Sequence, residues 1–132
     1  MNGTERMKKT TILIDTDFGD DTDDAAAFRL ALSCGCLDIA AVTTVFGDTE
    51  KRAEMVLEFL SLYGKDDIPV AAGHGKALIE RDHNAGPEPI QYPVLKNRPK
   101  LLTNMPAEDL ILQCVRDNPD LVILAMGAMT NL

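Results

Sequence analysis

Six aspartates fall within the ten residues Asp15 to Asp24, directly behind the apolar run Ile12-Leu13-Ile14 and directly ahead of Ala25-Ala26-Ala27. Carboxylates this close raise one another's pKa unless a positive charge compensates them, and the simplest compensator is a divalent cation. The ligands are hard oxygens with no histidine or cysteine beside them, which selects Mg²⁺ or Ca²⁺ over zinc. Asp15 and Asp17, at the mouth of a buried strand, read as functional. Asp20, Asp21 and Asp23 also fit a solvated turn and helix cap favoured by the helix dipole, and for Asp20 that reading is preferred. No glycine-rich cradle with a lysine follows, and there is no G-x-G-x-x-G pattern, so a nucleotide phosphate is not the evident ligand.

The elements that must position these carboxylates alternate strand and helix. Residues 11–16 read as a central strand buried on both faces. A helix over 24–33, capped by Thr22 or Asp23 and stopped by Gly35, is apolar almost all round and is expected to be deeply packed. A second strand spans 39–45, and a strongly amphipathic helix spans 49–63, with Ala53, Val56, Leu57, Leu60 and Tyr63 on one face. A short strand follows at 68–72, with Pro69 at its entrance. Residues 73–104 carry Gly75, Gly86, Pro87, Pro89, Pro93 and Pro99 with little periodicity, and read as a long substrate-side loop. Pro106 suits the first turn of a helix over 107–116 with Leu110, Ile111, Cys114 and Val115 inward, and 121–125 is a fourth strand. The alternation implies an α/β fold: an open, mostly parallel, Rossmann-like sheet with flanking helices. With strand order 3-2-1-4, the loops after strands one and four meet at the switch point where ligands bind.

Composition narrows the partners. A net charge of −8 argues against nucleic acid or an anionic membrane, both of which reward a basic surface. Hydrophobic content of 45% with 26% charged residues is that of an ordinary globular chain, and no apolar run approaches the ~20 residues a bilayer span needs. Residues 1–9 read as a frayed polar lead-in without a secretory signal. The three cysteines are an odd number, and Cys34-Gly35-Cys36 is too tight for a zinc knuckle, so reduced thiols in a cytosolic chain are expected. Self-association into a homo-oligomer is left open.

Asp15-Thr16-Asp17-Phe18-Gly19 followed by Asp23-Asp24-Ala25 resembles the D-x-D-x-G…D-D-A signature of the calcium-dependent, inosine–uridine-preferring nucleoside hydrolases. The resemblance continues through Thr43-Thr44-Val45-Phe46-Gly47-Asp48-Thr49 and Ile68-Pro69-Val70-Ala71-Ala72-Gly73. It ends at Gly127-Ala128-Met129-Thr130-Asn131, which looks like the family's G-P-L-T-N turn. It implies hydrolysis of a small-molecule nucleoside to free base and ribose. Asp17, Asp24 and the backbone carbonyl of Thr130 would hold Ca²⁺, together with the ribose 2′- and 3′-hydroxyls and a water of lowered pKa. Asp17 would be the general base, and nearby carboxylates would stabilise the cationic sugar. Asp23, Asp15 and Asp48 would contact ribose hydroxyls or position the loop, and an acidic pocket disfavours phosphorylated substrates. Asp20-Asp21-Thr22 stand where the family has a single residue, so Asp21 is an alternative ligand. Asp48 stands where many members have asparagine. His74 and His83 are read as solvated loop residues and given no role.

Family members run to about twice this length or more, and their later half supplies a further calcium-binding aspartate and, in some, a histidine that assists the leaving base. Residues 1–132 are therefore expected to form the amino-terminal portion of such a domain, truncated after the fourth strand and of doubtful activity alone, with an uncovered sheet edge. Two other readings compete. A haloacid-dehalogenase-like phosphohydrolase also places D-x-D after its first strand but expects a threonine shortly afterwards, where Phe18-Gly19-Asp20 stand. A non-catalytic metal-binding remnant would bind Ca²⁺ without turnover.

Overall fold

The computed structural model describes residues 8–79, 88–94 and 103–132. Strands β1 (Thr10–Thr16), β2 (Leu37–Thr44), β3 (Val70–Ala72) and β4 (Val122–Ala125) form one parallel sheet in the order β3-β2-β1-β4. Helices α1 (Asp23–Ser33), α2 (Thr49–Leu62) and α3 (Ala107–Asp117) connect them, with single 3₁₀ turns at Tyr92–Val94 and Met129–Asn131. This is the open α/β sheet the alternation predicts, with the expected strand order.

The winding explains the layers. From β1 through α1 and α2 to β3 the chain steps outward in one direction, and both helices cover the same face. There Ile12, Ile14, Val42 and Val70 meet Phe28 of α1 and Ala53, Val56, Leu57 and Leu60 of α2. The chain then returns past β1 to place β4, and α3 covers the other face, where Ala107, Leu110, Ile111 and Cys114 pack on Leu13, Ala41 and Ala71. Ile12 and Ile14 go to one face and Leu13 to the other, the two-residue period of a strand. With both faces of β1 covered, Leu13 through Thr16 have no exposed surface.

Several expectations need correction. The helix α1 is not packed all round: Phe28 and Ala31 are buried but Leu30 is 67% exposed, because only one side of the helix has a sheet to face. Tyr63 and Val115 sit at the margins of their helices' inner faces and are exposed. Pro106 precedes α3 as its N-cap in extended conformation rather than lying in its first turn. The long segment between β3 and α3 is not wholly irregular either, since Tyr92–Val94 form a helical turn. Among the described residues β4 pairs only with β1 and leaves Val122 and Leu124 exposed, the uncovered edge expected from the sequence. Among the described residues no helix is long and apolar enough to cross a membrane.

Candidate functional site at the switch point

β1 delivers Asp15, Thr16 and Asp17 to the carboxyl edge of the sheet, and the following loop is anchored rather than free. Phe18 is buried, edge-to-face against Phe28 and Phe59 with ring centroids 5.5 Å away in each case. Gly19 has φ +122, and a Cβ there would sit 2.8 Å from Met55 Sδ and 2.9 Å from Pro89 Cβ. Glycine is required by both the backbone and the space.

Asp15 is fully buried. Its Oδ1 accepts hydrogen bonds from Thr43 Oγ1 at 2.6 Å and from Asn131 Nδ2 at 2.8 Å, whereas its Oδ2 is buried with no partner. Burial pushes its pKa up, the two hydrogen bonds oppose the rise, and the charge of Asp17 adds to it. Asn131 is the junction of the site. Besides Asp15 it donates to the Thr44 carbonyl at 3.0 Å, and its Oδ1 accepts the His74 N–H at 2.9 Å. One side chain on the turn after β4 thus ties together the ends of β1 and β2 and the segment after β3, across a sequence separation of 116 residues to Asp15. The predicted convergence of the β1 and β4 loops is present. Gly127 makes it tight, since a Cβ there would lie 3.2 Å from Asp17 N and 2.7 Å from Val45 Cγ1. Thr130 fixes the same turn by donating its hydroxyl to the Lys76 carbonyl at 2.9 Å.

Asp24, in the first turn of α1, is buried and accepts a short hydrogen bond from the Thr16 hydroxyl, which itself accepts the Phe18 N–H at 3.1 Å. Burial raises the Asp24 pKa to about 6; the Thr16 hydrogen bond pulls it down and the adjoining Asp17 and Asp23 carboxylates push it up. Asp17 and Asp24 therefore form a crowded pair. Asp21 is exposed and Asp23 uses one oxygen to accept the Asp24 N–H at 2.9 Å, so the geometry pairs Asp24, not Asp21, with Asp17. Thr22 holds the N-cap position without a side-chain cap bond. Asp48 caps α2 by accepting the Lys51 N–H at 3.1 Å and faces Lys51 Nζ at 3.3 Å. His74 Nε2 lies 3.6 Å from Glu108; His83 lies outside the described residues. Among the described residues no three histidine, cysteine or acidic side chains close into a cage. The site offers two crowded carboxylates and neutral oxygens.

Asp20 is not a solvated turn residue. Its Oδ2 pairs with Arg52 Nη2 at 2.8 Å and its Oδ1 accepts the Ile90 N–H at 3.0 Å. Partial burial raises its pKa, but the Arg52 hydrogen bond, the Ile90 N–H and the Arg52 charge outweigh this and hold it below the ordinary range. Arg52, 2% exposed, also donates from Nε to the Phe46 carbonyl at 2.6 Å and from Nη1 to the carbonyls of Asp17 at 2.6 Å and Phe18 at 3.0 Å. It clamps the aspartate loop to the loop after β2, where Phe46 adopts φ +70, a costly left-handed conformation for a non-glycine residue. The sequence pattern alone assigns no role to Arg52, Thr16, Thr43 or Asn131. A signal for Arg52 is nevertheless present: it interrupts the buried face of α2 one helical turn before Val56, and a charge there demands partners.

Gly73 stands where Asn131 and β2 meet, and a Cβ on it would lie 2.5 Å from the Thr44 carbonyl and against the Asn131 amide. Gly73→Ala is expected to lower the unfolding free energy by about 1–3 kcal/mol, read from the urea midpoint. An unchanged midpoint would mean the Asn131 junction is looser than these distances imply.

Residues 12–132 match the family model described as inosine-uridine preferring nucleoside hydrolase. The pyrimidine-specific ribonucleoside hydrolase RihA of Citrobacter koseri is 35% identical over 127 residues, covering 91% of this chain and 40% of its own length. Its counterpart from Escherichia coli O1:K1 shows the same identity and coverage. Of solved structures, a plant nucleoside hydrolase superposes with a TM-score of 0.74 at 32% identity, covering 92% of this chain and 41% of its own. A purine-preferring ribonucleoside hydrolase from Gardnerella vaginalis, at 21% identity and also 0.74, shares the fold. The chain spans about 40% of the length of the curated relatives it matches. With the aspartate loop and the Gly127–Asn131 turn both inside the matched residues 12–132, the chain belongs to the inosine–uridine-preferring nucleoside hydrolase family.

Proposed function

We propose that the switch-point site is the cation- and ribose-binding part of a nucleoside hydrolase that cleaves the N-glycosidic bond of ribonucleosides to free base and ribose. The observation that carries this reading is Asp15: a carboxylate fully buried with one oxygen unpartnered, beside the crowded Asp17–Asp24 pair. Buried polar groups are normally satisfied, and an exception at the edge of a candidate site is where a catalytic role or a bound ion, water or substrate group belongs. The donors fit Ca²⁺, with Asp17, Asp24 and the Thr130 carbonyl as ligands, since flexible all-oxygen shells suit that ion. A Ca²⁺ ion held there would supply the charge that compensates the carboxylates, anchorage for ribose hydroxyls and a water of lowered pKa.

The chain's own groups do the rest. Asp17 accepts the proton of the attacking water. Asp15 receives a ribose hydroxyl on its open oxygen, held in place by Thr43 and Asn131. Asp23 keeps one oxygen for a hydroxyl, and Asp48 reaches one at the expense of its Lys51 contact. As the bond to the base breaks, positive charge grows on the sugar, and this carboxylate group stabilises it. The same negative charge repels phosphorylated substrates.

Titrating the 132-residue protein with CaCl₂ while following thermal unfolding tests the cation part, and adding ribose tests the sugar part. Both are expected to raise the midpoint, ribose only when Ca²⁺ is present. Ribose release from inosine and uridine is assayed in parallel. No shift with millimolar Ca²⁺ and no ribose released would remove the proposal, and phosphate release from a phosphomonoester would favour phosphohydrolase chemistry instead.

A further inference from the structure

The corner between α1 and β2 holds a second chemically distinct group, remote from the aspartates at the opposite end of the sheet. Cys34 caps α1 with φ −69 and ψ −16, Gly35 turns the chain with φ +69, and β2 begins at Leu37. This tight turn puts the sulfurs of Cys34 and Cys36 2.9 Å apart, within about 1 Å of the bonded S–S distance. Cys34 is exposed, Cys36 is partly exposed, and a Cβ on Gly35 would meet nothing within 4 Å, so the approach from solvent is open. The Cys36 carbonyl accepts the Thr10 N–H at 2.9 Å, which ties the second cysteine to the sheet. Cys114, the remaining cysteine, lies on the buried face of α3.

We propose that Cys34 and Cys36 form a dithiol exchange site that reacts with low-molecular-weight disulfides and closes to an intramolecular disulfide. The two thiols are not equivalent. The Cys36 thiol donates to Cys34 sulfur, with the backbone N–H of Cys36 adding to it, and this lowers the Cys34 pKa while raising that of Cys36. The carboxyl end of α1 disfavours a thiolate, so these hydrogen bonds are what support it. Cys34 is the attacking sulfur and Cys36 the resolving one.

In the first step Cys34 thiolate attacks one sulfur of the small disulfide. That S–S bond breaks, a mixed disulfide forms on Cys34, and the departing thiolate takes up the proton Cys34 gave to solvent. Cys36 then deprotonates and attacks Cys34 sulfur, and the second small thiol leaves with that proton. Two protein thiols are oxidised and one disulfide is reduced to two thiols, so electrons and protons balance.

The test treats the protein and its Cys34→Ser and Cys36→Ser variants with glutathione disulfide, quenches with acid, alkylates free thiols and weighs the products. Serine at these open positions leaves the fold intact, which circular dichroism checks. The wild type is expected to lose two alkylatable thiols and retain no glutathione. Cys36→Ser is expected to accumulate one glutathione on residue 34, and Cys34→Ser to react about tenfold more slowly. Equal rates in the wild type and Cys34→Ser would overturn the proposal. So would a wild-type product that keeps glutathione on Cys34 with Cys36 free, or one in which two chains are joined.

Discussion

Arg52→Ala is expected to lower the unfolding free energy by about 3–5 kcal/mol, measured as a fall in urea midpoint at unchanged slope. Arg52 is 2% exposed, and its guanidinium serves four acceptors: the carbonyls of Asp17, Phe18 and Phe46 and the carboxylate of Asp20. Alanine leaves those acceptors without their donor and removes one of the two bonds that hold the left-handed Phe46, the other being its N–H to the His74 carbonyl at 2.9 Å. Lysine at position 52 keeps the charge but cannot serve four acceptors with one ammonium, so Arg52→Lys should recover part of the loss only. The pH dependence separates charge from packing. Asp20 has a lowered folded pKa, so its contribution is present above the ordinary carboxylate range and lost as pH falls through the folded value. In Arg52→Ala that acid-side loss should shrink, because the cation responsible for most of the lowering is gone. A loss of stability below about 1 kcal/mol, the size of a single ordinary hydrogen bond, would mean that Phe18 in the core holds the loop by itself.

The fold is legible in the sequence where local chemistry and topology agree. Strand and helix alternate clearly, and the order of the four strands is enough to bring the β1 and β4 turns together. The long-range partners are not legible, for a reason visible in the register. Thr43 meets Asp15 because β1 and β2 pair these two residues, but only after a shift between Ile12 and Leu13 moves the pairing by one. Unshifted counting from the strand starts, Thr10 against Leu37, sets Val42 opposite Asp15 instead. That places an apolar side chain with no hydroxyl to donate beside the carboxylate and turns the Thr43 hydroxyl to the other face. Arg52 is hidden differently. Its four acceptors lie on two loops, and three of them are backbone carbonyls that carry no side-chain signature. The burial of α1 is overestimated from sequence because alanines look apolar on every side of a helix, whereas only the side facing the sheet is covered.

Asp24→Asn is expected to make the metal-free protein more stable at pH 8 and to remove its response to Ca²⁺. Burial, together with the Asp17 and Asp23 charges, raises the Asp24 pKa from 3.8 to about 6 against the pull of the Thr16 hydroxyl. A folded pKa above the unfolded one means that the folded state binds the extra proton. The stability this supplies is fully present below the ordinary carboxylate range and is lost as pH rises through about 6. At pH 8 the wild type therefore carries an ionised, crowded carboxylate. Asparagine keeps the shape and an oxygen for Thr16 but has no charge to crowd Asp17, so the variant should be ahead at pH 8 and level with the wild type near pH 4. Calcium should reverse the order: at a hundredfold excess over Kd a ligand adds about 2.7 kcal/mol to the form that binds it, and only the wild type keeps both carboxylates. Asp17→Asn should behave in the same way, since either substitution dissolves the same pair. A metal-free Asp24→Asn protein less stable than the wild type at pH 8, yet still stabilised by Ca²⁺, would make Asp24 a structural partner of Thr16 and return the ligand position to Asp21. The reversal is the informative result, because a residue kept only for packing has no reason to destabilise the empty site and stabilise the filled one.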